Sequence, residues 1–332
     1  MIHLRLLRRS GPLIALLLLL GILSVAVPDF VGVRNLRGLL LSVTLVGTIA
    51  ATMMLVLAMR EVDLSVGSIV ALSGVIAAVV ITRTGSPLAG VIAGLLGGAA
   101  VGLFNGAVIA VLKVNSLIVT LATMEMVRGL AFLVSAGQSV AIPAQGFYAL
   151  GSGELLGISW PIWAMIASFA TFGLLLNFTV FGRNVLAVGG NPEAARLAGV
   201  PITRVRIIVF ALQGLVAGFA GIILSARITS GQPNTSVGLE LAVISACVLG
   251  GVSLSGGIAS IGGVIVGVLI MGAAQNALNL LNVATFYQYV VRGGILLLAV
   301  IADRLRQGGR LPVFRLPLCS GRNTALENTT RA

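Results

Sequence analysis

Ten long apolar runs, separated by short polar segments, constrain this chain more than any other feature: 11–28, 38–59, 66–82, 87–110, 116–135, 161–180, 207–226, 241–254, 258–275 and 285–302. Apolar stretches of about 20 residues match the thickness of a bilayer's hydrocarbon core. Backbone groups there find no water, so each run must satisfy its own hydrogen bonds as a helix. The expected fold is an all-α integral membrane protein of about ten transmembrane helices. Runs 66–82 and 241–254 are short and interrupted by glycine, which predicts broken or tilted spans. With 58% hydrophobic and 9% charged residues, a soluble chain of 332 residues could not hide this much apolar surface. The 43 glycines suit close helix–helix packing. We read residues 1–306 as one transmembrane domain. We read 307–332, rich in Arg, Gly, Pro, Asn and Thr, as a disordered basic cytoplasmic tail that can touch anionic lipid heads.

The formal net charge is +12, with Lys113 the only lysine among 21 basic residues. The distribution of these residues argues for lipid and against nucleic acid. With the N-terminus inside, Arg5, Arg8, Arg9, Arg60, Lys113, Arg183, Arg196, Arg204, Arg206, Arg304, Arg306, Arg310, Arg315, Arg322 and Arg331 fall on the cytoplasmic side. Only Arg34, Arg37, Arg83 and Arg227 fall outside, and Arg128 and Arg292 lie within runs. That asymmetry is the positive-inside pattern and places both termini in the cytoplasm, as expected for a multi-pass inner-membrane protein. The start, Arg5–Arg9 before Leu13–Ile22, imitates a signal peptide. No small-x-small site follows, so an uncleaved first span is expected.

Several chemistries are excluded. His3 is the only histidine, which removes histidine-based zinc sites, Ser–His–Asp triads and histidine proton relays within the spans. Cys247 and Cys319 form neither a disulfide framework nor a metal spacing. No phosphate-binding G-x-x-x-x-G-K-[ST] loop occurs, so any ATP and magnesium must be bound by another subunit. No cofactor is expected in this chain.

The segment Asn191-Pro192-Glu193-Ala194-Ala195-Arg196-Leu197-Ala198-Gly199 carries the sharpest local signal. Asn191 is a good N-cap, Pro192 suits the first helical position, and Gly199 suits a left-handed terminator. The pattern predicts a two-turn helix over 192–198 on the cytoplasmic face, too short to stand alone. Its alanines permit close docking in a protein groove, and the surrounding arginines could meet a partner's acids. Glu61, Asp63 and Ser65, before run 66–82, read as a helix cap or as a second cytoplasmic contact.

Glu125 and Arg128, three apart in one run, read as an ion pair or as a path-lining pair. The 227–236 segment, with Gln232 and Asn234, is dense in groups that suit a neutral polyol, or it is an ordinary polar turn. Arg292 has no local acid, leaving Glu240 or backbone carbonyls as partners. Gly90-Val91-Ile92-Ala93-Gly94 resembles Gly263-Val264-Ile265-Val266-Gly267, which suggests a five-plus-five inverted repeat with a transport path at the interface of its halves.

Taken together, Val62–Gly74, Phe104–Met124, Gly182–Val200, Glu240–Gly257 and Gln288–Gly293 resemble the monosaccharide permeases of ATP-binding-cassette importers. The E-A-A-x-x-x-G spacing is similar to the loop by which such permeases engage their ATPases. The stretches Thr123–Phe132, Ser225–Ser236 and Leu278–Asn282 resemble the arabinose-transporting members most. The resemblance covers about residues 25–306. It implies two permease chains, a cytoplasmic ATP-binding subunit and a periplasmic sugar-binding protein. It also implies a coupling role for 191–199 and import of a monosaccharide. A permease for another substrate of the same group (ribose, xylose, galactose or autoinducer-2) is the alternative reading, and an ion-coupled secondary transporter is a further rival, disfavoured by the scarcity of acids and histidines in the runs.

Overall fold

The computed structural model describes residues 2–306, and the 307–332 tail lies outside the described residues. In chain order the elements are α1 (Ile2–Ala26), α2 (Val33–Ser42), α3 (Thr44–Ala58), α4 (Val66–Thr84), α5 (Pro87–Leu112), α6 (Ser116–Val134), β1 (Val140–Ala141) and α7 (Gln145–Ser152). There follow β2 (Glu154–Leu155), β3 (Ile158–Ser159), α8 (Trp160–Phe178), α9 (Val180–Gly190), α10 (Pro192–Leu197), α11 (Ile202–Ile228), β4 (Ser230–Gly231), α12 (Leu239–Leu249), α13 (Ile261–Leu280) and α14 (Thr285–Arg306).

Helices α4, α5, α6, α8, α11 and α13 are each long and apolar enough to cross a bilayer. The pair α2 and α3 qualifies together, bent by 43°. Shorter apolar helices at Gly11–Ala26, Leu239–Leu249 and Thr285–Ile301 fall on the remaining apolar runs. The fold is all-α, with only two-residue strand pairs, β1 with β4 and β2 with β3.

Glycine sets the closest packing. Gly90, Gly94, Gly98, Gly102 and Gly106 repeat every fourth residue and are buried along one face of α5. There Gly98 and Gly102 abut Gly214 and Gly218 of α11, close enough that a β-carbon at Gly102 would run into the Phe210 carbonyl. Without a hydrophobic drive between helices in lipid, such backbone approach supplies the packing energy.

The same contacts recur after a shift of 173 residues. Gly90 and Gly94 of α5 press on the carbonyls of Ala77 and Ser73 in α4. Gly263 and Gly267 of α13 press on the carbonyls of Gly250 and Ala246, at the end of α12. That shift carries Gly90 to Gly263, Gly94 to Gly267, Ala77 to Gly250 and Ser73 to Ala246. It also carries the first residue of α4, Val66, to the first residue of α12, Leu239. This geometry supports the repeat suggested by the two glycine-flanked strings.

Candidate coupling face and transport path

The chain writes α10 as its residues predict. The Asn191 side chain accepts from the Ala194 N–H at 3.1 Å, Pro192 occupies the first turn, and the helix ends at Leu197. Gly199 takes a φ of +80°, the left-handed conformation that costs glycine least. Ala195 is buried and anchors the helix, whereas Ala194 is exposed. Glu193 and Arg196 pair with each other at 2.6 Å on the solvent side. Leu197 is 82% exposed.

A cavity of about 810 Å³ opens beside α10. Its walls include Arg60, Glu61, Lys113, Glu193, Arg196 and Arg206, so the α10 segment and the α3–α4 connection face one basic groove. Glu61 lies in its wall, bridged to Arg206 at 3.0 Å. Asp63 and Ser65 do not reach it. Both are fully buried, which corrects their reading as surface contacts.

The capping expectation is corrected too. Ser65 makes no side-chain cap bond to α4; instead its N–H and hydroxyl donate to Asp63 Oδ1 at 2.9 and 2.6 Å. The Asn105 amide donates to the Ser65 hydroxyl at 2.9 Å. Burial raises the Asp63 carboxyl to about 6, against the lowering effect of the two Ser65 bonds.

The end of α9, just before α10, packs against two distant connections. Gly189, one turn before α10, presses on the Ala58 carbonyl and lies against Gly257. The Gly257 N–H donates to that same Ala58 carbonyl at 2.8 Å. Arg60 donates to the Gly190 carbonyl at 3.0 Å. Ala58 leads into the connection before α4, and Gly257 lies in the connection after α12. Three backbone segments therefore meet at one point with no side chain between them.

Deeper in, the predicted Glu125–Arg128 ion pair is not formed. Arg128 donates from Nη1 to the carbonyls of Pro233 and Thr235, 2.7 Å each, and Glu125 is exposed. These bonds pull the 232–238 segment inward from β4. Gln232 donates weakly to Ser230 at 3.3 Å, and Asn234 is exposed beside the Arg128 bonds. Structure thus brings Arg128, Gln232 and Asn234 together. Arg292 takes neither expected partner. It donates to Gln275 Oε1 at 3.3 Å and lies over the Tyr289 ring.

Sequence reasoning missed three things: the Ala58–Gly189–Gly257 junction, the exposed Leu197, and the contact of Gly67 with Glu240. A methyl group at Gly67 would lie 2.5 Å from the Ser236 carbonyl and 2.7 Å from Glu240 Oε2. Only Leu197 carried a signal, as the sole large apolar residue within the 191–199 segment.

Residues 35–300 match the family described as "Branched-chain amino acid transport system / permease component". The chain belongs to this family. It is a membrane-spanning permease component, a transport subunit rather than an enzyme.

An L-arabinose ABC transporter permease protein (AraH) of Azospirillum brasilense is 62% identical over 306 residues, covering 92% of this chain and 90% of that protein. The L-arabinose transport system permease protein AraH of Escherichia coli K12 is 53% identical, covering 91% of this chain and 92% of its own length. The ribose import permease protein RbsC of the same strain is 40% identical over 89% of this chain and 93% of its own. No solved structure matches the chain.

Proposed function

We propose that this chain is the membrane-spanning subunit of an ATP-driven importer of a monosaccharide, L-arabinose. The 62% identity to an L-arabinose permease over nearly the whole length supports the substrate. The capped helix α10, with Leu197 bare and Gly189 behind it against Ala58 and Gly257, supports the mechanism. A cytoplasmic ATP-binding subunit holds ATP and magnesium and docks on α10 and the basic groove. A periplasmic sugar-binding protein delivers the sugar to the opposite face. Two copies of the chain form the path, with both termini in the cytoplasm.

Closure of the ATPase displaces α10 and, through α9, the junction at Ala58. Because that junction adjoins the connections of both α4 and α12, one displacement reaches the breaks in both halves. The two membrane conformations must then differ in free energy with nucleotide state, which is the coupling that drives alternating access.

The test is Glu193→Arg and Gly199→Pro in vesicles holding the ATPase and the binding protein. Loss of ATPase association and of labelled L-arabinose uptake supports the reading; retention of both in both variants overturns it. The family's description raises a branched-chain amino acid as a second substrate. Uptake of leucine in place of arabinose by the same vesicles would establish it.

A further inference from the structure

The meeting point of Gly67 and Glu240 lies half-way across the helical bundle, as the matching registers of two helix pairs indicate. In the antiparallel pair α4 and α5, Ala77 faces Gly90 and Ser73 faces Gly94. Continued at the same pace, Gly67 lies opposite Ala100, in the middle of Pro87–Leu112. In the pair α12 and α13, Gly250 faces Gly263 and Ala246 faces Gly267. Continued likewise, Glu240 lies opposite Ala273, near the middle of Ile261–Leu280. Residues 67 and 240 touch, so both registers place one point. Helices α4 and α12 therefore start at mid-depth, with their N-termini facing each other.

That point is open to one side. Asn234 and Glu125 are exposed, Glu240 and Arg128 are half-buried, and Val237 is 68% exposed. Charged groups facing hydrocarbon cost roughly 3 kcal/mol each even on the mildest scale, so intramembrane charges of this kind mark a pathway. This face therefore borders water.

Hydrogen-bonding capacity is left over there. Of five guanidinium N–H donors, Arg128 spends its Nη1 group on the two carbonyls of the dipping segment. Glu240 faces the backbone N–H groups of Gly238 and of itself, and neither ion pair among the described residues includes it. The Ser236 hydroxyl is buried with no partner. Two helix N-termini also favour the Glu240 carboxylate. Arg128 and Glu240 feel each other's charge without closing an ion pair, and a carboxylate and guanidinium so placed complement a sugar hydroxyl, which donates to the first and accepts from the second.

We propose that Glu240, with Arg128 beside it, is the sugar-contacting site of the path, and that it takes a neutral polyhydroxylated monosaccharide at the junction of α4 and α12. This rests on the monosaccharide-permease reading and adds the binding residue to it.

Saturation-transfer NMR on the detergent-solubilised permease–ATPase complex, with millimolar L-arabinose and without the binding protein, tests it. Wild type and the control Glu154→Gln give transfer to the sugar. Glu240→Ala loses it, and Glu240→Gln, which keeps one acceptor, retains a weakened signal. The variants count only as monodisperse complexes with ATP hydrolysis intact; if Glu240→Ala fails that check, Arg128→Gln and Glu240→Gln carry the comparison. Equal transfer in wild type and variants overturns the site, as does absence of transfer in wild type, or transfer to leucine but to no sugar. Failure of the transport reading shows itself separately, as wild-type vesicles with all partners that accumulate no monosaccharide.

Discussion

The Arg206 guanidinium meets the Glu61 carboxylate at 3.0 Å, tying the first turn of α11 to the connection between α3 and α4. Both side chains are largely buried, 23% and 11% exposed. Removing one partner leaves the other charge poorly solvated, and the residual exposure moderates the cost to about 1–3 kcal/mol. Glu61→Gln and Arg206→Gln should each lower the thermal midpoint in detergent. The swapped double variant Glu61→Arg/Arg206→Glu should recover part of the loss. A double variant no better than the singles' sum would show that the pair is not what stabilises the wall of the groove.

Asp63 predicts a pH effect with a definite sign. Its carboxyl is raised from 3.8 to about 6, so the folded state prefers it protonated. Its contribution to stability is fully present below pH 3.8 and falls as the pH climbs to 6, by on the order of 3 kcal/mol. Asp63→Asn keeps an acceptor for Ser65 and carries no charge. Melting followed from pH 4 to 7 should show a decline in the wild type that is flatter in Asp63→Asn. Parallel curves would contradict this assignment.

How far the sequence was legible depended on whether a feature is local. The α10 helix is written in adjacent residues, because capping by Asn191, the fixed φ of Pro192 and the left-handed turn at Gly199 all act within one or two turns. The apolar runs were legible because hydrocarbon imposes length and composition on each helix separately. What escaped was set by contacts between distant segments. Asp63 looks like a cap before α4, yet Ser65 competes for its oxygen from two residues away. Glu125 and Arg128 share a helix face, yet carbonyls more than 100 residues away capture the guanidinium. The glycine strings hinted at the repeat, but only the carbonyls they press on gave its register.

The glycine face of α5 makes a graded prediction. A β-carbon at Gly102 would strike the Phe210 carbonyl, which is rigid backbone. At Gly97 it would meet the end of the Ile76 side chain at 2.8 Å, which can turn aside. Overpacking typically costs about 1–3 kcal/mol where neighbours cannot move. Gly102→Ala should therefore lower the melting temperature well beyond Gly97→Ala, and similar shifts for the two would refute backbone contact as the cause.

The cap of α10 separates coupling from folding. Asn191→Ala removes the bond to the Ala194 N–H and costs this helix about 1 kcal/mol. A helix of six residues has little to spare, so its first turn should fray. Global melting should hardly change, because α10 contributes only Ala195 to the core. Uptake per ATP hydrolysed in vesicles should fall, and Asn191→Asp, which retains the cap, should restore it. A coupling ratio unchanged in Asn191→Ala would mean that docking alone orders the helix.

Arg128 offers the sharpest separation of shape from charge. Its Nη1 group holds two carbonyls of the 232–238 segment, and no other side chain among the described residues bonds either of them. A lysine keeps the charge but presents a flexible ammonium in place of a planar fork. Arg128→Lys should therefore keep the local potential yet loosen the dipping segment. Val237 is 68% exposed on that segment, so a cysteine there reports its position without entering the core. Labelling of Val237→Cys by a hydrophilic maleimide should change in rate when Arg128→Lys is added, because the segment retreats toward β4. Losing about 1–3 kcal/mol of charge-assisted hydrogen bonding would allow that retreat, and uptake should fall about tenfold with it. An unaltered labelling rate with reduced uptake would place the effect of Arg128 on the sugar alone; an unaltered rate with normal uptake would remove Arg128 from the path.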